Sequence, residues 1–310
     1  MASRAARFAS ALIRVAIRRH DWGPDAALAR RARRLFGATP AHQRLLLRGL
    51  RPRAVATDSG VRGEWLDPGT RRPGVLLYLH GGGYVSCSAA THRPLTAALA
   101  RATGLRVFAA DYRLAPEHPF PAAHDDACAA YHWLVTQGAP GAPVVVAGES
   151  AGGGLVLAVA VHARDHGWPR PHALVALSPW ADLEGTGASR LANDGRCAMF
   201  RPANIAAFAR AYLQGASPRD PRASPLHAPL HGLPPVLLQV GAEELLLDDA
   251  VRVAQQVRAA GGEATLRSYP GAPHGWQLLT PLLPEARAAV DEVAAFVATR
   301  LPSASTVPPA

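Results

Sequence analysis

One stretch constrains the chain more than any other: Pro143-Val-Val-Val-Ala-Gly-Glu-Ser-Ala-Gly-Gly-Gly-Leu-Val-Leu-Ala-Val-Ala-Val161. A short Val-rich run ends in Gly148, and an Ala/Leu/Val segment of helical length resumes after Gly152. The pattern predicts a strand, a tight turn and a helix. The turn, Gly148-Glu149-Ser150-Ala151-Gly152, puts a serine on a sharp bend where its hydroxyl stands clear of a sheet. Glycines two residues to either side have a steric reason, since a Cβ there would strike the neighbouring strand or helix. The helix that follows also offers free N–H groups and a positive dipole end beside the hydroxyl. By itself the pentapeptide is equally a Gly/Ser turn closing a βα unit, so the reading depends on what elsewhere answers the serine.

Around this unit the chain alternates. Strands are expected at 55–57 and 61–66 around the turn Asp58-Ser59-Gly60, at 75–79, 106–110, 174–177, 235–240 and 263–269. Helices are expected at 95–102, 122–136, 202–213, from about 250 to 260, and from 284 to 300. Such alternation implies an α/β fold with a mainly parallel sheet covered on both faces. Residues 1–50 read as two or three helices, with breaks at 21–25 and 37–40. Phe8, Leu12 and Val15 fall at i, i+4, i+7, which favours an amphipathic helix over an Arg-rich transit peptide. Residues 184–225 read as an insertion outside the sheet, and 302–310 as a disordered tail.

Two loops answer Ser150. Val75-Leu-Leu-Tyr-Leu79 runs into His80-Gly81-Gly82-Gly83-Tyr84. Three glycines at a strand end let the backbone turn its N–H groups into a cleft, as the second half of an oxyanion hole requires. No Gly-Lys-Ser/Thr follows, which sets a phosphate loop aside. Near the other end, His274 stands on a loop between Pro273 and Gly275, where the general base that a serine needs at neutral pH belongs. For the acid, Glu243, Glu244, Asp248 and Asp249 all follow the strand that ends at Val240. Asp248 and Asp249 fall where a helix begins, so capping or a solvated face explains them. Glu244, nearer the strand end, ranks first and Asp248 second.

The formal charge of +10 comes from 33 basic residues, all arginine. The densest cluster, Arg30-Arg31-Ala32-Arg33-Arg34, lacks interleaved aromatics, so composition accounts for the charge without a nucleic-acid partner. Cys87, Cys128 and Cys197 are scattered and odd in number. They read as small buried hydrophobes in a reducing cytoplasm, with no metal knuckle. His162 and His166 lie four apart on a helix, but Ala163 stands where a zinc-protease helix has glutamate, so both read as exposed residues.

Taken together, His80-Gly-Gly-Gly-Tyr84, Asp111-Tyr-Arg-Leu-Ala-Pro-Glu117, Gly148-Glu-Ser-Ala-Gly-Gly153, Leu177-Ser-Pro-Trp-Ala-Asp182, Ser224-Pro-Leu226 and His274-Gly275 resemble the hormone-sensitive-lipase-like branch of α/β-hydrolase esterases. The resemblance runs from about Val75 to the C-terminal helix. It implies Ser150 as nucleophile, His274 as base, Glu244 as acid, and an oxyanion hole from the N–H groups of Gly82, Gly83 and Ala151. His80 would brace its loop. Two departures stand out. The family commonly has Asp-Pro-Leu where this chain has Glu244-Leu245-Leu246, and often Asp where it has Glu149, to which no catalytic role is assigned. The resemblance further implies a cap made of residues 1–50 and about 184–225 over a catalytic domain at 51–310. The expected activity is a cofactor-free serine carboxylesterase acting on small to medium acyl esters. A lactone hydrolase is the near alternative, and a non-catalytic binding protein the distant one, disfavoured by the presence of His274. The partner expected is a small-molecule ester, with a homodimer allowed and membrane contact disfavoured.

Overall fold

A strand buried along its whole length has no face to give to water, and four such strands make the centre of this molecule. In the computed structural model the described residues are 2–19, 22, 25–38, 46, 47, 49–69, 72–280 and 282–301, with 25 and 26 described by backbone alone. Eight strands form one sheet: β1 (Arg53–Ala56), β2 (Arg62–Leu66), β3 (Val75–Leu79), β4 (Arg106–Ala110), β5 (Val144–Glu149), β6 (Ala173–Leu177), β7 (Val236–Gly241) and β8 (Ala264–Tyr269). Their order is β1-β2-β4-β3-β5-β6-β7-β8; β1 and β2 pair antiparallel, as do β2 and β4, and the rest are parallel. Alternate residues feed opposite faces. Val75, Leu77 and Leu79 join one core with Val144 and Val146, while Leu76 and Tyr78 join the other with Val145 and Ala147.

The first face is covered by helices α4 (Ala122–Trp133), α5 (Ala151–Asp165) and α8 (Leu247–Ala259), the second by α3 (Ala89–Thr103) and α9 (Pro284–Ala298). Helix α3 begins six residues before the sequence reading. A capping box at Ser88 starts it: Ser88 Oγ accepts from Thr91 N–H at 3.3 Å and Thr91 Oγ1 from Ser88 N–H at 3.0 Å. The cap carries the helix through Pro94. Helix α4 ends at Trp133 and passes into one π-helical turn, Leu134–Gly138.

Residues 184–225 add no strand, as expected, but two helices, α6 (Ser189–Ala192) and α7 (Pro202–Leu213). On α7 rests α2 (Asp25–Phe36), with Trp22 stacked on Phe36 and edge-on to Phe208 at 5.2 Å, while α1 (Arg4–Ile13), continued by a π-turn to Arg18, reaches the loop at 194–196. The helix over 4–18 exists, but its expected buried face does not. Phe8, Leu12 and Val15 are 66%, 54% and 55% exposed. The inward stripe is Ala6, Ser10, Ile13 and Ile17, the same spacing two residues out of phase. Polar anchors fix that rotation. Ser3 N–H and Oγ–H donate to Glu285 at 2.7 and 3.0 Å, Arg14 donates to the carbonyls of Gly195 and Arg196, and Arg18 pairs with Asp194 at 2.6 Å. The helix breaks at 21–25 and 37–40, the third helix before residue 50 and the tail at 302–310 fall largely or wholly outside the described residues.

Register sets up the site. Leu79 lies beside Gly148, Glu149 beside Leu177, and Gly241 beside Tyr269. The loops that follow these strands therefore leave one edge of the sheet together, the edge where open α/β sheets bind ligands.

Candidate active site

Ser150 sits between β5 and α5 with φ +57° and ψ −118°, a conformation that costs a non-glycine residue free energy and persists only when its surroundings hold it. Here Ser150 N–H donates to Leu177 O at 2.8 Å, and Ser150 O accepts from Trp180 N–H at 2.9 Å and Gly154 N–H at 3.1 Å. The glycines have the steric reason expected of them. A Cβ on Gly152 would fall 2.0 Å from Leu79 O, and one on Gly148 2.4 Å from Gly152 O.

His274 reaches Ser150 from the loop after β8. Ser150 Oγ–H donates to His274 Nε2 at 2.9 Å, and His274 Nδ1–H donates to Glu244 Oε2 at 2.5 Å. The facing carboxylate sets the tautomer. Glu244 is itself held on its other oxygen, which accepts from Ser178 Oγ–H at 2.7 Å and Gly241 N–H at 2.6 Å. All three residues are buried. Burial opposes protonation of His274, but Glu244, through its charge and its hydrogen bond, and Glu149, through its charge, raise the pKa above the ordinary imidazole value. The arrangement can take a proton from the serine hydroxyl and hold it as an imidazolium.

Asp248, the alternative acid, is not part of this chain of bonds. It lies in the first turn of α8, and its Oδ2 accepts from Ser189 N–H at 2.9 Å, tying α6 to α8. Asp249 corrects the expectation of a cap or solvated face. It is fully buried, accepts from the N–H groups of Ala181 and Asp182 at 2.9 Å each, and burial pushes its pKa up to about 7 despite the nearby charge of Arg190.

The glycine loop faces the same space. Gly82 and Gly83 have φ of +104° and +62°, and among the described residues their N–H groups donate to no protein acceptor. Ala151 opens α5, where the first N–H groups have no partner within the helix. A Cβ on Gly83 would come within 2.5 Å of the Phe208 ring, so loop and α7 touch there. His80 stays behind the loop, stacked on Tyr112 at 4.1 Å with Nδ1 2.7 Å from Gly81 O, while Tyr112 O–H donates to His80 O at 2.6 Å. Burial and the neighbouring His92 drive its pKa down to about 3, so it stays neutral.

Glu149, noted in the sequence but given no role, and His92, not singled out there, both belong to the site. Glu149 is buried with its Oε1 3.4 Å from His274 Nε2 and its Oε2 3.4 Å from His92 Nε2. A Cβ on Gly81 would lie 1.9 Å from that carboxylate, so the loop's first glycine makes room for it. The available signal was a charge at the end of a buried strand, which needs partners. His92, in the first turn of α3, carried no such signal. Ser150, His274 and Glu149 open into a cavity of about 310 Å³, walled by Ile13, Ile17 and Phe36 on one side and Phe200, Ile205 and Phe208 on the other.

The fold and this site define an α/β hydrolase, and the family of that fold matches residues 76–278. An acetyl-hydrolase of Streptomyces hygroscopicus is 45% identical over 251 residues, which span 81% of this chain and 84% of the relative. Among solved structures, an esterase of the bacterial hormone-sensitive lipase family is 39% identical and superposes with a TM-score of 0.86 over 97% of this chain and 100% of its own. The esterase EstE5, soaked with p-nitrophenyl butyrate, is 37% identical with a TM-score of 0.87 over 96% and 99%. The chain belongs to the hormone-sensitive-lipase-like family of α/β hydrolases and, like these relatives, is a carboxylic ester hydrolase. Among the described residues no helix is long and apolar enough to cross a membrane.

Proposed function

We propose that the protein is a serine carboxylesterase in which Ser150 is the nucleophile, His274 the general base and Glu244 the acid that orients it. The observation that carries this is the unbroken line of two hydrogen bonds, 2.9 Å from Ser150 to His274 and 2.5 Å from His274 to Glu244. His274 takes the Ser150 proton as Oγ attacks the ester carbonyl. The tetrahedral oxyanion accepts from the N–H groups of Gly82, Gly83 and Ala151, each such donor being worth about 3 kcal/mol in the transition state. The imidazolium returns its proton to the departing alcohol, leaving an acyl-enzyme. A water deprotonated by His274 then releases the acid.

Residues 1–50 and 184–225 act as the cap that closes the acyl pocket. A cavity of about 310 Å³ is at the small end for ligand sites, which suits small to medium acyl chains. The acetyl-hydrolase among the relatives and the p-nitrophenyl butyrate used with EstE5 point the same way. The test is hydrolysis of p-nitrophenyl acetate, hexanoate and dodecanoate by the wild type and Ser150→Ala. The wild type should favour the two shorter esters, and the variant should lose on the order of 10⁵-fold or more in kcat. Equal rates for both proteins would remove Ser150 from the mechanism.

A further inference from the structure

At the far end of α5 from Ser150, three side chains converge that the ester chemistry does not use. His124 and Cys128 lie one turn apart on α4, on one face of that helix, and His162 meets them from α5. One ligating atom from each falls within 4.8 Å of the other two. His124 Nε2 is 3.5 Å from Cys128 Sγ. A tetrahedral zinc ion bound through nitrogen at about 2.0 Å and sulfur at about 2.3 Å sets these two atoms about 3.5 Å apart. His124 and Cys128 are buried, and His162 is half-buried with its ring 5.4 Å from that of His124, not the exposed helix residue expected from the sequence.

The second layer is also in place. His124 Nδ1–H donates to Asp125 Oδ1 at 3.1 Å, which leaves the Nε2 lone pair facing the sulfur. A carboxylate behind a ligating imidazole in this way fixes its tautomer and strengthens it as a donor. The other charges beside His124, Asp220 and Arg222, are paired with each other at 2.8 Å. A second cluster, Asp182, Glu184 and His227, offers less, because the Asp182 carboxylate already accepts from Gly185, Thr186 and Arg252.

We infer that His124, Cys128 and His162 form a binding site for a divalent zinc-class ion that clamps α4 to α5. The metal replaces the thiol proton, which passes to solvent, and the half-open side at His162 admits water as a fourth ligand. The site lies twelve residues along α5 from Ser150, about 18 Å at 1.5 Å per residue, so it acts on stability and not on the ester reaction.

The experiment uses the full chain, stripped by EDTA and dialysed, then titrated with zinc chloride by calorimetry and with cobalt(II) chloride by absorbance. One equivalent should bind, cobalt should give the near-ultraviolet charge-transfer band of a thiolate ligand, and zinc at a hundredfold excess over Kd should raise Tm by about 4 °C. Cys128→Ser should abolish the band. His162→Gln should weaken binding at least about tenfold, and Asp125→Asn by about 10- to 100-fold with the band retained. p-Nitrophenyl acetate hydrolysis should be unchanged in all three. No binding by the wild type below about 1 mM free zinc, a cobalt complex without the thiolate band, or equal affinity in Cys128→Ser and His162→Gln would each overturn the assignment.

Discussion

The carboxyl edge of the sheet and the helices lying over it solve the same problem, holding a side chain in place, by different means. At the edge, Glu244 is gripped by a serine hydroxyl and a backbone N–H from adjoining strand ends, and His274 is gripped by Glu244. These contacts are buried and follow from strand register. The helices over the edge hang instead on arginines. Arg18 reaches Asp194, and Arg33 spans Glu117 with both nitrogens while its Nε–H donates to Val85 O at 2.9 Å. Between the two regions lies the apolar wall of the cavity. The difference teaches that the chemistry belongs to the sheet, whereas pocket shape belongs to a layer packed through apolar residues such as Trp22, Leu28 and Phe208 and pinned at its rim by arginines.

The largest effect that sharpens this division lies at the acid. Glu244→Gln keeps the shape but removes the charge that holds the His274 tautomer and stabilises the imidazolium. kcat on p-nitrophenyl hexanoate should fall on the order of 10⁴-fold. Asp248→Asn, four residues on, removes only a charge whose oxygen accepts from Ser189 N–H, and should stay within about threefold of wild type. Steady-state kinetics of the two variants decide it; equal losses would mean that the acid is not where the hydrogen bonds place it.

How much of this was legible in the chain follows the same division. Ser150, the glycines flanking it and Gly82 and Gly83 are readable because a backbone that must turn sharply or approach closely accepts almost nothing but glycine, wherever the rest of the chain lies. Glu244 is readable because its distance from a strand end limits what it can touch. The rotation of α1 is not, because its anchors Asp194 and Glu285 lie 176 and 282 residues away in sequence from Arg18 and Ser3. Periodicity alone put Phe8 inside; long-range polar contacts put it outside. Asp249 was misread for a related reason, since its partners Ala181 and Asp182 sit on another loop.

Phe208 tests the cap from the substrate's side. Its ring lies on the cavity wall against Gly83 and Trp22. Phe208→Ala lengthens the pocket without touching the reacting groups. The ratio of kcat/KM for dodecanoate over acetate should rise by roughly tenfold, about 1.4 kcal/mol of added apolar contact, a size that burial of a few methylenes supplies. The loss should appear in acetate KM and not in kcat. A fall in kcat for all three esters would tie the cap to the chemistry and break the division.

Glu149 stands between the two regions, beside His274 on the sheet edge and facing the cavity. Burial lowers the His274 pKa, and the charge of Glu149, after the charge and hydrogen bond of Glu244, is one of the influences that raise it. Glu149→Gln therefore lowers that pKa, and the acid limb of kcat/KM should move to lower pH. The sign also governs stability. A folded-state pKa above the unfolded value contributes stability that is full below about pH 6.5 and lost as pH rises through the folded value, so the variant should lose stability at acid pH and little at pH 9. Urea midpoints at the two pH values measure this. An acid limb that stays where it was would show that Glu149 is not sensed by the base.

The smallest effect belongs to the surface fastening. Arg33 and Glu117 form a two-nitrogen pair that is well exposed on both sides, so its worth is about 1 kcal/mol or less. Arg33 is also the first cause of the Glu117 pKa falling to about 2. A depressed carboxylate contributes stability above its unfolded pKa and loses it as pH falls, here between about pH 5 and 2. Arg33→Gln should thus lower Tm at pH 7 by about 1.5 °C or less, and the gap from wild type should close toward pH 2. High salt should narrow it too, because exposed charges are screened. Should the variant instead lose most of its stability at every pH, the arginines would be part of the core of this fold, and the contrast between a self-sufficient sheet edge and a lightly tethered cap would fail.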